Sequence, residues 1–277
     1  MDKKIIALIA TVVFASGCAD LVQTDSSPEG VEPDPGAGLE VTELSVADET
    51  LRVGDGQRGQ RTEVTLQLTN HHSVEVDPEI ELDNLGQLKA EGKEQPCNQE
   101  SLAAVQEEIV DQMECTWAIE APSRSTMGSF DEKPLSFSVI VTYDSQIQNQ
   151  EALQVRFKNR DQITDSNPVE RKFSNNEVQM TIRTDNPSPL DSTRNRLEIA
   201  LSNNGPGRVV NNQEYDISYQ PNIVGEDCPT DDVSGRIGSE FTDTCSFDVS
   251  SPATRNLFVS AGYKYQKQQN LGVTLVR

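Results

Sequence analysis

The sequence predicts an all-β protein, two tandem antiparallel β-sandwiches behind a short N-terminal leader. Three observations carry this. Apolar residues recur at every second position in many short runs broken by Gly, Pro and Asn, the period of half-buried strands. The runs occur twice, in the same order, in the two halves of the chain. The five cysteines divide as one, two and two, and the two later pairs have nearly equal spacings, 18 and 17 residues.

Residues 1–17 read as an export signal. Two lysines precede an apolar stretch, Ile5 to Ala15, and small residues follow it. That stretch is too short to span a bilayer, which takes about 20 residues. Ala15-Ser16-Gly17-Cys18 resembles a prokaryotic lipobox, with Ala15 where Leu is usual. The resemblance implies lipidation at Cys18, which would become the first residue of the mature protein. The alternative is an ordinary signal peptide cut at the same small residues. Acyl chains contribute about 0.8 kcal/mol per buried methylene, so two or three hold a domain at a membrane. Residues 18–37 are rich in Pro, Gly, Ser and acids and almost free of large apolar side chains, the composition of a disordered linker.

The first sandwich is expected over 38–158 and the second over 177–277, with a linker at 159–176. Leu39-Val41-Leu44 and Val178-Met180-Ile182 open the two copies. Val64-Leu66-Leu68 runs into Thr69-Asn70, and Leu197-Ile199-Leu201 runs into Ser202-Asn203. Ile80-Leu82 corresponds to Tyr215-Ile217-Tyr219. Cys115 and Cys245 each begin a strand with an aromatic two residues on, Trp117 and Phe247, on the same strand face. Each copy is expected to close with a hairpin. In the first, Phe137–Tyr143 turns near Gln148-Asn149-Gln150 into Leu153–Phe157. In the second, Val259–Tyr265 turns near Gln268-Gln269-Asn270 into Leu271–Leu275. The C-terminal strand is expected to be an open sheet edge.

The Asn-ended strands, the cysteine–aromatic strands and the Val141-Thr142-Tyr143 hairpin resemble the Ig-like, CARDB-type repeats of prokaryotic envelope lipoproteins. The resemblance covers most of 38–277. The second copy matches through Asn204-Gly205, where the first has His71-His72. It implies a fold and an envelope setting and no particular activity.

One feature belongs to the first copy alone. Leu102, Val105, Ile109 and Met113 recur at spacings of three and four, which predicts a short helix over 98–113 with a possible contact face. The equivalent segment 229–244 has no such face.

In an exported chain, cysteines at repeated spacings read as disulfides, here Cys97–Cys115 and Cys228–Cys245. A four-thiolate metal site is the weaker reading, because neither pair has Cys-x-x-Cys spacing. The net charge is −22, and acids outnumber bases 23 to 8 over 38–157 but 16 to 13 over 158–277. Such a surface repels nucleic acid. Asp77, Glu79, Glu81 and Asp83 alternate along one wet strand face. Calcium there is the sharper alternative to a plain solvated surface, but no calcium-loop motif is present.

His71 and His72 are the only histidines, placed at an expected turn, where exposed polar residues are ordinary. No phosphate loop, nucleophile elbow or zincin motif occurs. Trp117 is expected in the core beside the disulfide, and Tyr263 and Tyr265 as core and rim. No catalytic residues, metal ligands or cofactor are assigned. The sequence therefore predicts a non-enzymatic, lipid-anchored protein of the cell envelope with a structural, adhesion or assembly role. Its expected partners are the membrane, through the lipid, and other envelope proteins or itself, with no nucleic acid and no small-molecule ligand. The alternative is a hydrolase or solute-binding lipoprotein with its site at the domain junction, which a cleft holding converging carboxylates or His71 would favour.

Overall fold

Among the described residues of the computed structural model, eighteen strands make up nearly all the regular structure. The structure describes residues 32–33, 38–56, 59–72, 74–91, 97–105, 109–149, 151–190, 196–210, 214–220, 226–227, 241–247, 249 and 251–277. The first nine strands are β1 (Glu32–Pro33), β2 (Leu39–Val46), β3 (Thr50–Arg52), β4 (Arg61–Asn70), β5 (Glu79–Asp83), β6 (Lys89–Glu91), β7 (Asp111–Glu120), β8 (Glu132–Gln148) and β9 (Leu153–Lys158). The next are β10 (Asn167–Ser174), β11 (Val178–Asn186), β12 (Ser188–Pro189), β13 (Arg196–Asn203) and β14 (Arg208–Val209). The last are β15 (Glu214–Gln220), β16 (Glu226–Asp227), β17 (Phe241–Phe247) and β18 (Ala253–Val276). The protein is all-β, and the sheets are mainly antiparallel.

The alternating pattern does what the sequence asks of it. In β4, Val64, Leu66 and Leu68 are fully buried, while Arg61 and Glu63 face water. Burying each such aliphatic side chain contributes about 1.5–3 kcal/mol. In β7, Met113, Cys115, Trp117 and Ile119 do the same from the next strand, with Leu66 opposite Cys115. One sheet has the order β2-β4-β7-β6, and a second contains β11-β13-β17-β16 in equivalent order, extended by β10 and β1. The third sheet runs β12-β9-β18-β8-β5, with β3, β14 and β15 also on β18. One continuous hydrophobic cluster draws on all three.

Several expectations are corrected. Neither closing hairpin forms. β8 turns near Asn149 into β9, but β9 pairs with Ala253–Leu257 of β18 rather than with β8. β18 does not turn at Gln268-Gln269-Asn270. It continues straight and pairs with β8 over fourteen positions, from Tyr263 opposite Ser145 to Val276 opposite Glu132. Each half thus receives the last strand of the other. Alternation specifies which face is buried but not which strand lies alongside. Gln-rich segments also lack the Asn-Gly or Gly residues that force a tight turn.

The C-terminal strand is consequently not an edge, since β8 lies on one side and β3 on the other at Thr274–Val276. The expected linker 159–176 contains β10, and Glu32–Pro33 of the expected disordered linker pairs with Phe173 and Ser174. The boundary between 38–158 and 177–277 is crossed by both exchanged strands, and Val31–Arg277 forms one compact unit.

The helix expected over 98–113 is absent among the described residues. Leu102 forms a bridge with Val76 and is fully buried, and Met113 is buried in β7. Val105 is half-buried and Ile109 is 74% exposed, so the four residues do not share a face. The disulfide Cys97–Cys115 and the Val76–Leu102 bridge tie the described parts of this stretch to neighbouring segments, overriding its helical periodicity.

Candidate functional site

The pairing of β8 with β18 brings one buried polar cluster together. Tyr143 of β8 and Tyr265 of β18, which the sequence comparison aligns, lie directly opposite each other. Around this crossing sits Glu177, a carboxylate only 1% exposed. Its placement begins with a local turn. Asn176 has φ +65°, a left-handed conformation that Asn tolerates better than most residues. The Asn175 side-chain oxygen accepts from the backbone N–H groups of Glu177 and Val178, at 3.3 and 3.0 Å. This turn aims the Glu177 side chain inward, against Leu39, β8 and β18.

All of the carboxylate is engaged. Oε1 accepts from the Tyr143 hydroxyl at 2.5 Å and the Leu39 N–H at 3.3 Å. Oε2 accepts from the Tyr263 hydroxyl at 3.0 Å, with Ser145 Oγ at 2.9 Å. Asn175 donates to the Tyr263 oxygen at 2.6 Å. His72 is 3% exposed, and its Nε2 stands 3.5 Å from Glu177 Oε1. Burial alone would raise the Glu177 carboxyl. His72 beside it, the Tyr143 hydroxyl and the Lys267 ammonium outweigh burial and hold it at about 2. Burial, followed by the Glu177 charge, pushes the Tyr143 and Tyr263 hydroxyls well up. Burial raises Tyr265 to about 12.

The chemistry follows from these directions. The hydroxyls stay protonated and donate, and the carboxylate stays ionised and accepts. A general acid or base works best with a pKa near the operating pH, and the Glu177 carboxyl and the three tyrosine hydroxyls are held away from it. Glu177 therefore ties together β2, β8, β11 and β18 rather than moving protons.

Beside this cluster a cleft of about 440 Å³ opens between β2, the turns at 71 and 176, and β18. Glu40, His71, Asn176, Glu177, Lys267 and Gln269 are among its walls. His71 Nε2 lies 3.0 Å from Glu40 Oε2 at the rim. Lys267 donates to the Leu39 carbonyl and sits 6.0 and 5.9 Å from the ring centres of Tyr143 and Tyr265. Burial lowers its pKa against the attraction of Glu177 and Glu40.

Of the residues marked out by sequence, Cys97 and Cys115 form the expected disulfide. Cys18 and Cys228 lie outside the described residues, and of Cys245 only the backbone, in β17, is described. Trp117, Tyr263 and Tyr265 are buried. Asp77, Glu79, Glu81 and Asp83 are exposed on or beside β5, an outer strand of the third sheet. Among the described residues, no three His, Cys, Asp or Glu side chains converge as metal ligands, and no helix is long and apolar enough to cross a membrane.

The two histidines part ways, with His71 at the cleft rim and His72 in the core, so the turn is not uniformly exposed. Sequence reasoning missed Glu177, Lys267 and the polar role of Tyr143. One signal was present in the sequence: Ser174-Asn175-Asn176-Glu177 is a polar, turn-forming block immediately before the alternating run that starts at Val178. No protein-family model and no curated protein sequence matches the chain.

Proposed function

We propose that this chain is an exported, non-catalytic envelope protein, anchored by lipid at Cys18 and set off from the membrane by the acidic segment 18–37. Its body consists of two duplicated Ig-like units that have exchanged their last strands. Its role is structural, in adhesion or assembly, through contacts with other envelope proteins or with itself. The equivalent orders β2-β4-β7-β6 and β11-β13-β17-β16, and Tyr143 opposite Tyr265, support the duplication. The observation that carries the non-catalytic reading is the saturated Glu177. The one deeply buried carboxylate cluster among the described residues spends its hydrogen bonds on the fold.

The test is detergent-phase partitioning and radiolabelled-palmitate incorporation in a bacterial host, followed by crosslinking from intact membranes. Wild type enters the detergent phase and carries label, and Cys18→Ser does neither. Equal partitioning of the two would sink the anchor, and recovery of no crosslinked protein would sink the assembly role.

A second reading, a solute-binding lipoprotein, is favoured by the cleft itself. It lies where the two halves meet and contains Glu40, Glu177 and His71, the arrangement the sequence set as its criterion.

A further inference from the structure

The walls of the cleft are not electrically uniform. Glu177 offers it no free acceptor, because both oxygens already take donors from the fold. Lys267 is the opposite case. An ammonium has three N–H donors. Among the described residues its one hydrogen-bond acceptor is the Leu39 carbonyl, and no carboxylate makes an ion pair with it. Two tyrosine rings lie near it, and the remaining donors are left for the cleft that Lys267 lines. Buried charges are normally paired, so a part-buried ammonium with spare donors in a cavity wall marks a place for an acceptor.

Three other groups narrow the ligand. The side-chain amides of Asn176 and Gln269 stand exposed in the wall, with no hydrogen bond among the described residues. They can add donors to the second oxygen of a carboxylate. Glu40 holds His71 with Oε2 and leaves Oε1 free at the rim. A simple anion would meet that carboxylate and the field of a chain with net charge −22. A ligand bearing both charges avoids this, because it adds no net charge and can set its own cation against Glu40. The volume, about 440 Å³, lies within the roughly 300–1,000 Å³ of small-molecule sites.

We infer that this cleft binds a small zwitterion of the amino-acid type, its carboxylate on Lys267 and the Asn176 and Gln269 amides, its ammonium toward Glu40. The inference rests on the solute-binding reading above and names its ligand class.

Isothermal titration of the full-length protein at pH 7 tests it, with glycine, glutamine and leucine as probes. Acetate, methylammonium and glucose serve as controls at matched ionic strength. At least one amino acid should bind, with acetate and methylammonium at least tenfold weaker. Glu40→Gln, an exposed change that leaves the core intact, and Lys267→Met should each weaken binding tenfold or more. Lys264→Met, on the same strand but paired with Glu79 outside the cleft, should leave it unchanged. Acetate binding as tightly as glycine would overturn the zwitterion and leave a plain anion site. Glucose binding that depends on Lys267 would overturn the ligand class and keep solute binding. No binding by any probe at 10 mM, or binding indifferent to both cleft variants, would overturn this inference.

Discussion

Replacing Glu177 with Gln removes one acceptor and puts an amide donor among hydroxyl and N–H donors. The Gln oxygen can keep both the Tyr143 hydroxyl and the Leu39 N–H, as Oε1 does now. Its NH2 then faces the Ser145 and Tyr263 hydroxyls, whose oxygens lie 3.0 Å apart, and only one of these can donate to the other. A stranded buried donor costs about 1–3 kcal/mol, so one or two give a loss of about 3 kcal/mol. The depressed pKa, which reflects the same Tyr143 hydrogen bond together with His72 and Lys267, points to a figure of the same size. A carboxyl held at about 2 against an ordinary 4.5 contributes about 3 kcal/mol when ionised. The sign is that of a depressed acid. The contribution is complete above pH 4.5 and is lost as pH falls toward 2 and below. By pH 3 wild type should have lost about 2 kcal/mol of it, whereas the Gln variant has nothing to lose at this site. Urea unfolding of both proteins at pH 7 and pH 3 is the assay. Wild type should lead by about 3 kcal/mol at pH 7 and by about 1 kcal/mol at pH 3. For a body of this size the difference at pH 7 corresponds to roughly 6–12 °C in Tm. A gap below 1 kcal/mol at pH 7, or one that does not narrow in acid, would refute the account of Glu177 as an ionised structural tie.

Three further outcomes are expected. Tyr143→Phe should cost about 1.5–3 kcal/mol by equilibrium unfolding, because it removes a hydrogen bond to a charged group and leaves the rings' packing in place. Replacing Cys97 and Cys115 together by Ser should cost about 3 kcal/mol from the lost constraint on an 18-residue loop, and reductant should lower the Tm of wild type by more than that of the variant, which keeps Cys228 and Cys245. Residues 38–158 expressed alone should give poorly dispersed amide NMR signals, because the strand Leu271–Val276 that completes their sheet is missing. Co-expression with 159–277 should restore a folded complex, and a well-dispersed spectrum from the first half alone would contradict the exchange.

Much of the strand inventory was legible because it depends only on local alternation. Val64, Leu66 and Leu68 had to share a face whatever lay opposite them. The same reasoning went wrong at 98–113, where spacings of three and four suggested a helix. The disulfide to Cys115 and the bridge from Leu102 to Val76 tie the described parts of that stretch to neighbouring segments instead. The cluster around Glu177 was harder to read, since its members come from positions 39, 72, 143, 145, 177 and 263. Nothing in a single segment announces such a meeting.

By itself the sequence determined the all-β class, the duplicated strand pattern and the Cys97–Cys115 bond, and it marked Cys18 as the expected anchor. Each of these depends on the order of residues along one short stretch or on a matched spacing. The tertiary structure decided which strands pair and what the junction contains. A period of two fixes the buried face of a strand and is silent about its neighbour. Only the fourteen-residue pairing of β8 with β18 brought Glu177, His72 and Lys267 to one place, with a cleft beside them.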